Sequence, residues 1–275
     1  MRLLFLSSML LMIFGANIFS QSVENNSTEK KLNFHLKVNH TTNSLFLGRS
    51  DSIETPYYGA EFGIAHKSGL YINAGLQYYP GRVDNKIDEY ALTAGYNFAI
   101  IKDKLTSGLS YARTFYNDYS TQVTSEIQGV ATWDISLDLS VFRAGLSTTA
   151  NFGQSTDVLV SPSIGRDFSF EKVLGGSVTV GPTVTVSSGS QKLYALYKVK
   201  RTAKLRKQKV KGTPKTESSY DLFKVQDVSL SVPASFTYKK IVFTITPTYD
   251  MPQNTTAGDF TSFPFSVDFA LQFNF

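Results

Sequence analysis

From about residue 32 to its end the chain alternates apolar with small polar side chains, period two, in almost every stretch between turn residues. The last stretch is the clearest. Phe263, Phe265, Val267, Phe269, Leu271, Phe273 and Phe275 fall on one face, and Pro264, Ser266, Asp268, Ala270, Gln272 and Asn274 on the other. A strand points successive side chains to opposite faces, so this pattern makes a sheet with one apolar and one polar side. Val178 to Val186, Val228 to Phe236, Ile241 to Tyr249 and Tyr90 to Phe98 repeat it.

The pattern predicts about 12 strands, near 31–41, 56–66, 69–80, 87–99, 104–117, 121–134, 138–150, 156–170, 173–188, 219–238, 240–250 and 262–275. A turn at Asp134–Asp138 is inferred mainly from strand length, because Ile127 to Val141 alternates nearly without a break. Every second connection is short: His66–Gly69, Ile100–Asp103, Ser169–Lys172 and Lys239–Lys240. The others tend to be longer, as at 42–55, 189–218 and 251–261. An even strand count with short turns at one end and long loops at the other places both termini at the turn end.

A sandwich in water and a barrel in lipid both alternate, and composition separates them. Only 18% of residues are charged, and the polar faces carry Ser, Thr, Gly, Asn and Gln rather than Lys and Glu. That suits a lumen with the apolar face turned to lipid. A mean hydropathy of −0.11 excludes a bundle of membrane helices but not alternating membrane strands. The absence of cysteine excludes a disulfide framework, a thiol nucleophile and thiolate-bound zinc. Aromatic residues gather near strand ends, as at Tyr57, Tyr58, Tyr78, Tyr79, Phe115, Tyr116, Phe168, Phe170 and Tyr238, where a membrane interface favours them. Arg113 and Arg143 fall in register with apolar neighbours and would have to reach an interface.

Residues 1–20 read as a signal peptide, with Arg2 before an apolar run from Leu3 to Phe14 and cleavage after Ser20. Residues 21–31 form a polar leader on the periplasmic side, and 32–275 the barrel.

The terminal strand, with Phe269, Leu271, Phe273 and Phe275 at alternate places, resembles the C-terminal signal of bacterial outer-membrane β-barrels. The hairpin before it, VSLSVPASFTYKKIVFTITPTYDMP, looks like the last hairpins of porin-like barrels. The resemblance implies an all-β, closed, antiparallel transmembrane barrel of up-and-down topology in the outer membrane, with its last strand read by the barrel-assembly machinery. It is unspecific for cargo or chemistry.

Candidate sites are sparse. His66 and Ser68, at i and i+2, resemble the His-x-Ser of outer-membrane lipid hydrolases, in which a base activates a hydroxyl. Their place in a periplasmic Lys-Ser-Gly turn favours ordinary turn chemistry instead. His35 and His40 fall on opposite faces of one strand, which does not make a metal pair. Asp88, Glu89, Glu126, Asp134 and Asp138 are scattered acids near strand ends with no paired-carboxylate role. No cofactor motif and no nucleic-acid module is visible. The basic run Lys198, Lys200, Arg201, Lys204, Arg206, Lys207, Lys209, Lys211 and Lys215 lies in the longest external loop, 189–218. It reads as a solvated loop, or as a surface for lipopolysaccharide phosphates.

These features lead to a porin-like channel for small solutes. A lumen rich in Ser, Thr and Gly admits water with little charge selectivity, and residues 42–55 or 189–218 would serve as a plug. A structural barrel whose external loops bind lipopolysaccharide or a partner is the alternative, and a lipid hydrolase a distant third.

Overall fold

The computed structural model describes residues 31–50, 56–81, 86–117, 120, 122, 124–205, 222–255, 259, 261 and 264–275. The signal-peptide expectation and residues 21–30 of the leader lie outside them. The strands are β1 (Leu32–Thr41), β2 (Leu45–Phe46), β3 (Arg49–Ser50), β4 (Tyr57–His66), β5 (Leu70–Tyr78), β6 (Ile87–Ile101), β7 (Leu105–Tyr116), β8 (Ile127–Asp138) and β9 (Arg143–Gly153). There follow β10 (Thr156–Gly165), β11 (Phe168–Val173), β12 (Gly176–Val180), β13 (Thr183–Gly189), helix α1 (Lys192–Leu205), β14 (Lys224–Ser231), β15 (Ala234–Tyr238), β16 (Ile241–Pro252) and β17 (Phe265–Asn274).

β10 continues as β11, β12 as β13 and β14 as β15, so the sheet is a closed, antiparallel barrel of 12 strands. β1 pairs with β4 on one side and with β17 on the other, His35 opposite Asn274 and Thr41 opposite Asp268, which closes the ring. The Phe275 amide adds a bond to the Phe34 carbonyl. Closure leaves the ring without an edge, a requirement where hydrocarbon offers no hydrogen bonds. The three interruptions lie side by side at Arg166–Asp167, Gly181–Pro182 and Val232–Pro233. Proline has no amide to give a ladder, and bonds from Arg166 to Pro182 and from Gly181 to Pro233 carry the sheet across.

Which face is apolar follows from the strands themselves. In β17, Phe265, Phe269 and Phe273 are exposed on the outside, while Ser266, Asp268 and Ala270 are buried within. Tyr90, Leu92, Leu109, Tyr111, Trp133 and Phe243 belong to the same outer belt. A soluble protein does not wrap itself in such a belt, so the barrel is one built for lipid. No described helix is long and apolar enough to cross a membrane, which leaves the crossing to the strands.

The structure corrects the predicted elements in four places. The turn between β8 and β9 is at Leu139–Phe142, not Asp134–Asp138. There, the Asp138 carboxylate accepts the Ser140 amide at 2.7 Å and Ser140 takes φ 65°. Its apolar residues hid it within the alternation. The β11–β12 turn is at Leu174–Gly175, with φ of 50° and 80°, beyond the Ser169–Lys172 reading. Among the loop-end connections, β9–β10 is tight, with the Gly153 amide bonded to Ser155. Finally, the stretch read as an external loop from 189 begins as α1.

Candidate functional site

The loop end of the lumen is filled by two segments of the chain. β2 and β3 form a small hairpin turning through Leu47 and Gly48, with φ of 49° and 70°. A Cβ at Gly48 would meet Pro252 at 2.7 Å, so glycine is required both for conformation and for close approach. The hairpin and α1 bury Leu45, Phe46, Leu47, Leu193 and Leu196 against Ala112, Ile127, Val130 and Leu159 of the wall. This is an apolar core inside a barrel whose other inward residues are mostly polar.

α1 has good helix formers and no Gly or Pro after Gln191, but no acid in its first turn. Asp157, inward on β10, supplies it. Its carboxylate accepts the amides of Lys192 and Leu193 at 2.8 Å each and the Ser190 hydroxyl at 2.6 Å. An anion at a helix N-terminus satisfies free amides and meets the positive end of the dipole. Asp259 fastens the other side. It accepts Arg49 Nε at 3.2 Å, Lys198 Nζ at 2.7 Å and the Tyr194 hydroxyl at 3.2 Å. Arg49 is fully buried and also donates to the carbonyls of Leu47, Gln226 and Gln253. Lys200 pairs with Glu126 at 2.6 Å.

Two members of the basic run, Lys198 and Lys200, are therefore tied to barrel-loop acids and do not sit in a free external loop. The Arg201 and Lys204 side chains, and all of Arg206, Lys207, Lys209, Lys211 and Lys215, lie outside the described residues. The described part of the 42–55 segment, residues 42–50, folds inward.

Beside the plug lies a chamber walled by β1 and β4–β7. Lys37, Asn39, Glu61, Asn73, Gln77, Glu89, Thr93 and Thr114 contribute its polar lining. His35 and Glu61 bond at 3.0 Å across β1 and β4. Thr41 and Asn39 donate to Asp268 at 2.6 and 3.5 Å. Several buried side-chain atoms around the lumen have no partner among the described residues, including Asn73 Oδ1, Asn97 Nδ2, Glu89 Oε2 and Thr246 Oγ1. Each such group costs about 1–3 kcal/mol if left dry, so this interior is one that calls for water.

The neutral-lumen expectation fails here. Glu61, Glu89, Asp134, Asp227, Asp250 and Asp268 all occupy inward positions, against Lys37 and His35 on the wall. The sequence pattern marks Glu89 and Asp134 only as acids near strand ends.

Other expected residues fall into place. His35 faces in, and His40 faces out, stacked on Tyr58 with ring centroids 4.6 Å apart. Arg113 lies over the Phe115 ring at 5.6 Å, and Arg143 pairs with Asp167 at the break below β10. Tyr58, Phe115, Phe168 and Phe170 are outward, but Tyr57 and Tyr79 are buried within, stacked 5.3 Å apart. The interfacial reading of those two is thus wrong. His66 Nδ1 meets the Ser68 hydroxyl at 2.9 Å and the Ser68 amide at 3.2 Å, in an exposed turn at the end that holds the described chain terminus. Gly69 closes that turn with φ 98° and a bond to the His66 carbonyl. One imidazole nitrogen shared between a neighbouring amide and hydroxyl is turn geometry.

No protein-family profile matches the sequence, and no curated protein matches it. Among solved structures, the KdgM porin aligns with 88% of this chain and 99% of its own at TM-score 0.52 and 9% identity. An outer membrane channel from Pseudomonas putida F1 aligns over 92% and 100% at TM-score 0.48 and 10% identity. LpxR from Salmonella typhimurium aligns over 87% and 99% at TM-score 0.45 and 12% identity. At 9% identity the likeness to the KdgM porin is one of fold, that of a bacterial outer-membrane β-barrel.

Proposed function

We propose that this outer-membrane barrel is a channel for small hydrophilic solutes whose external mouth is held shut by the β2–β3 hairpin and α1. The observation that carries the reading is a lumenal chamber edged by Lys37, Glu61, Asn73, Gln77 and Glu89 next to a separately built plug. A barrel of 12 strands lies between those that side chains fill and those with wide aqueous pores. Here side chains of the wall leave room, and folded-in loops take it up at one end. The plug's polar bonds to the rest of the barrel run chiefly through Asp157, Asp259 and Glu126, beside the apolar contacts it makes with the wall. In this reading Phe269, Leu271, Phe273 and Phe275 guide assembly, and the turn end faces the periplasm.

The plug also favours a second reading, in which the closed barrel is a scaffold whose outer surface binds lipopolysaccharide or a partner. Planar-bilayer recording separates the two. The channel reading expects discrete current steps after insertion of the wild-type chain, brief and rare while the plug is docked. Confirmed insertion of the wild type and of a plug-releasing variant, with no steps from either, leaves the scaffold.

A further inference from the structure

We propose that the channel selects small cationic or amine-bearing solutes and disfavours anions; this rests on the channel reading. Besides the helix-capping Asp157, six carboxylates project into one lumen: Glu61, Glu89 and Asp134 on the alternate strands β4, β6 and β8, and Asp227, Asp250 and Asp268 on the adjoining β14, β16 and β17. Glu89 stands opposite Gln77, and Glu61 opposite Lys37. Asp268 stands opposite Thr41, beside Asn39. Asp250 stands opposite Ser229 and Asp227 opposite Pro252, one inward place apart on adjoining strands.

A run of acids alone would say little, since acids can be absorbed by local cations. Here the absorbed ones can be told from the rest. Asp157 is taken up by the α1 amides, Asp259 by Arg49 and Lys198, and Glu126 by Lys200. Glu61 has His35, and Asp268 has Thr41 and Asn39. Asp227 is different. It is fully buried on the lumen face, and neither of its carboxylate oxygens has a side-chain donor among the described residues. Glu89 is 4% exposed, lines the chamber and has an unpartnered Oε2, with the unpartnered Asn73 Oδ1 on the same wall. Asp134 Oδ1 is a further case.

Glu89 lines the chamber, and Asp227 and Asp134 face the lumen on other strands of the wall. A carboxylate accepts and never donates when ionised, so it is answered by ammonium, guanidinium or a metal cation, and repels another carboxylate. Low-dielectric walls lined by one sign of charge concentrate counterions, by about tenfold or more. Lys37 and His35 lie on β1, between the strands of Asp268 and Glu61, and are themselves engaged with those acids. They do not turn the lumen basic.

The test is the reversal potential of the full chain in a planar bilayer under a tenfold KCl gradient. The expected result is a K⁺ over Cl⁻ permeability ratio of about ten, with spermidine reducing the current and citrate leaving it unchanged. The joint change Glu89→Gln, Asp134→Asn, Asp227→Asn and Asp250→Asn should bring the ratio down several-fold. If those changes prevent folding, the wild-type ratio still decides. A wild-type ratio at or below one overturns the selectivity and leaves the channel standing. Absence of current from both the wild type and a plug-releasing variant removes the channel and the selectivity together.

Discussion

Asp259→Ala should raise the fraction of time the barrel conducts by roughly a hundredfold. Asp259 is the acceptor shared by Arg49, Lys198 and Tyr194, and its side chain and that of Arg49 are 1% and 0% exposed. Removing one partner of a buried pair leaves the other charge uncompensated, at a cost of about 3–5 kcal/mol. Arg49 keeps its carbonyl bonds to Leu47, Gln226 and Gln253, which places the loss at the lower end of that range. Since 1.4 kcal/mol is a factor of ten in an equilibrium, the docked plug should lose about two powers of ten against the undocked one. Single-channel recording reads this as long, full-sized openings in place of brief ones. Migration of unboiled and boiled samples in a detergent gel verifies that the barrel itself is intact. An unchanged open fraction in an intact barrel would mean that the plug does not gate it.

The second large effect belongs to the outer belt. Leu109→Arg puts a guanidinium on the lipid face of β7, at a leucine 52% exposed that stands opposite Trp133 and Tyr96. A cationic side chain there costs about 2–4 kcal/mol near the bilayer midplane. Urea refolding into liposomes should show the destabilisation directly, as a lower midpoint with the same slope. Thr93→Arg is the matched control. Thr93 faces the chamber, so the same charge meets water and nearby acids, and the expected loss is below about 1 kcal/mol. Equal losses at both positions would contradict the assignment of faces.

The architecture was legible because it rests on a local signal. Alternation needs only neighbouring residues, and a strand of ten or twelve residues states its two faces several times over. Where a turn broke the usual chemistry the signal failed. Leu139 to Phe142 is apolar and continues the period, and its one marker, Asp138 accepting the Ser140 amide, is a single residue. The helix was hidden for a different reason. Its cap is Asp157, 35 residues from Lys192 in the chain, and its buried face meets β7, β8 and β10, so no local window contains the cause.

The lumen's charge fell between these cases. Asp227, Asp250 and Asp268 each appear on a polar face in the sequence, one acid among several serines and threonines. Only closure of the sheet brings faces from separate strands into one interior and lets their charges add. The same closure turned Tyr57 and Tyr79 inward, although their place near strand ends suited an interface. Conversely, Lys198 and Lys200 looked like free loop charge because Asp259 and Glu126 are distant in sequence.

Lipid outside the barrel and solute space inside it can be measured directly, because the chain contains no cysteine. Single cysteines at positions 266 to 272 along β17, labelled in denaturant with a small fluorophore and refolded into liposomes, can be scanned for quenching by nitroxide lipids. The expected result is alternation: strong quenching at Val267, Phe269 and Leu271, and little at Ser266, Asp268, Ala270 and Gln272. Uniform quenching, or quenching with the opposite phase, would contradict the fold's orientation and the channel built on it.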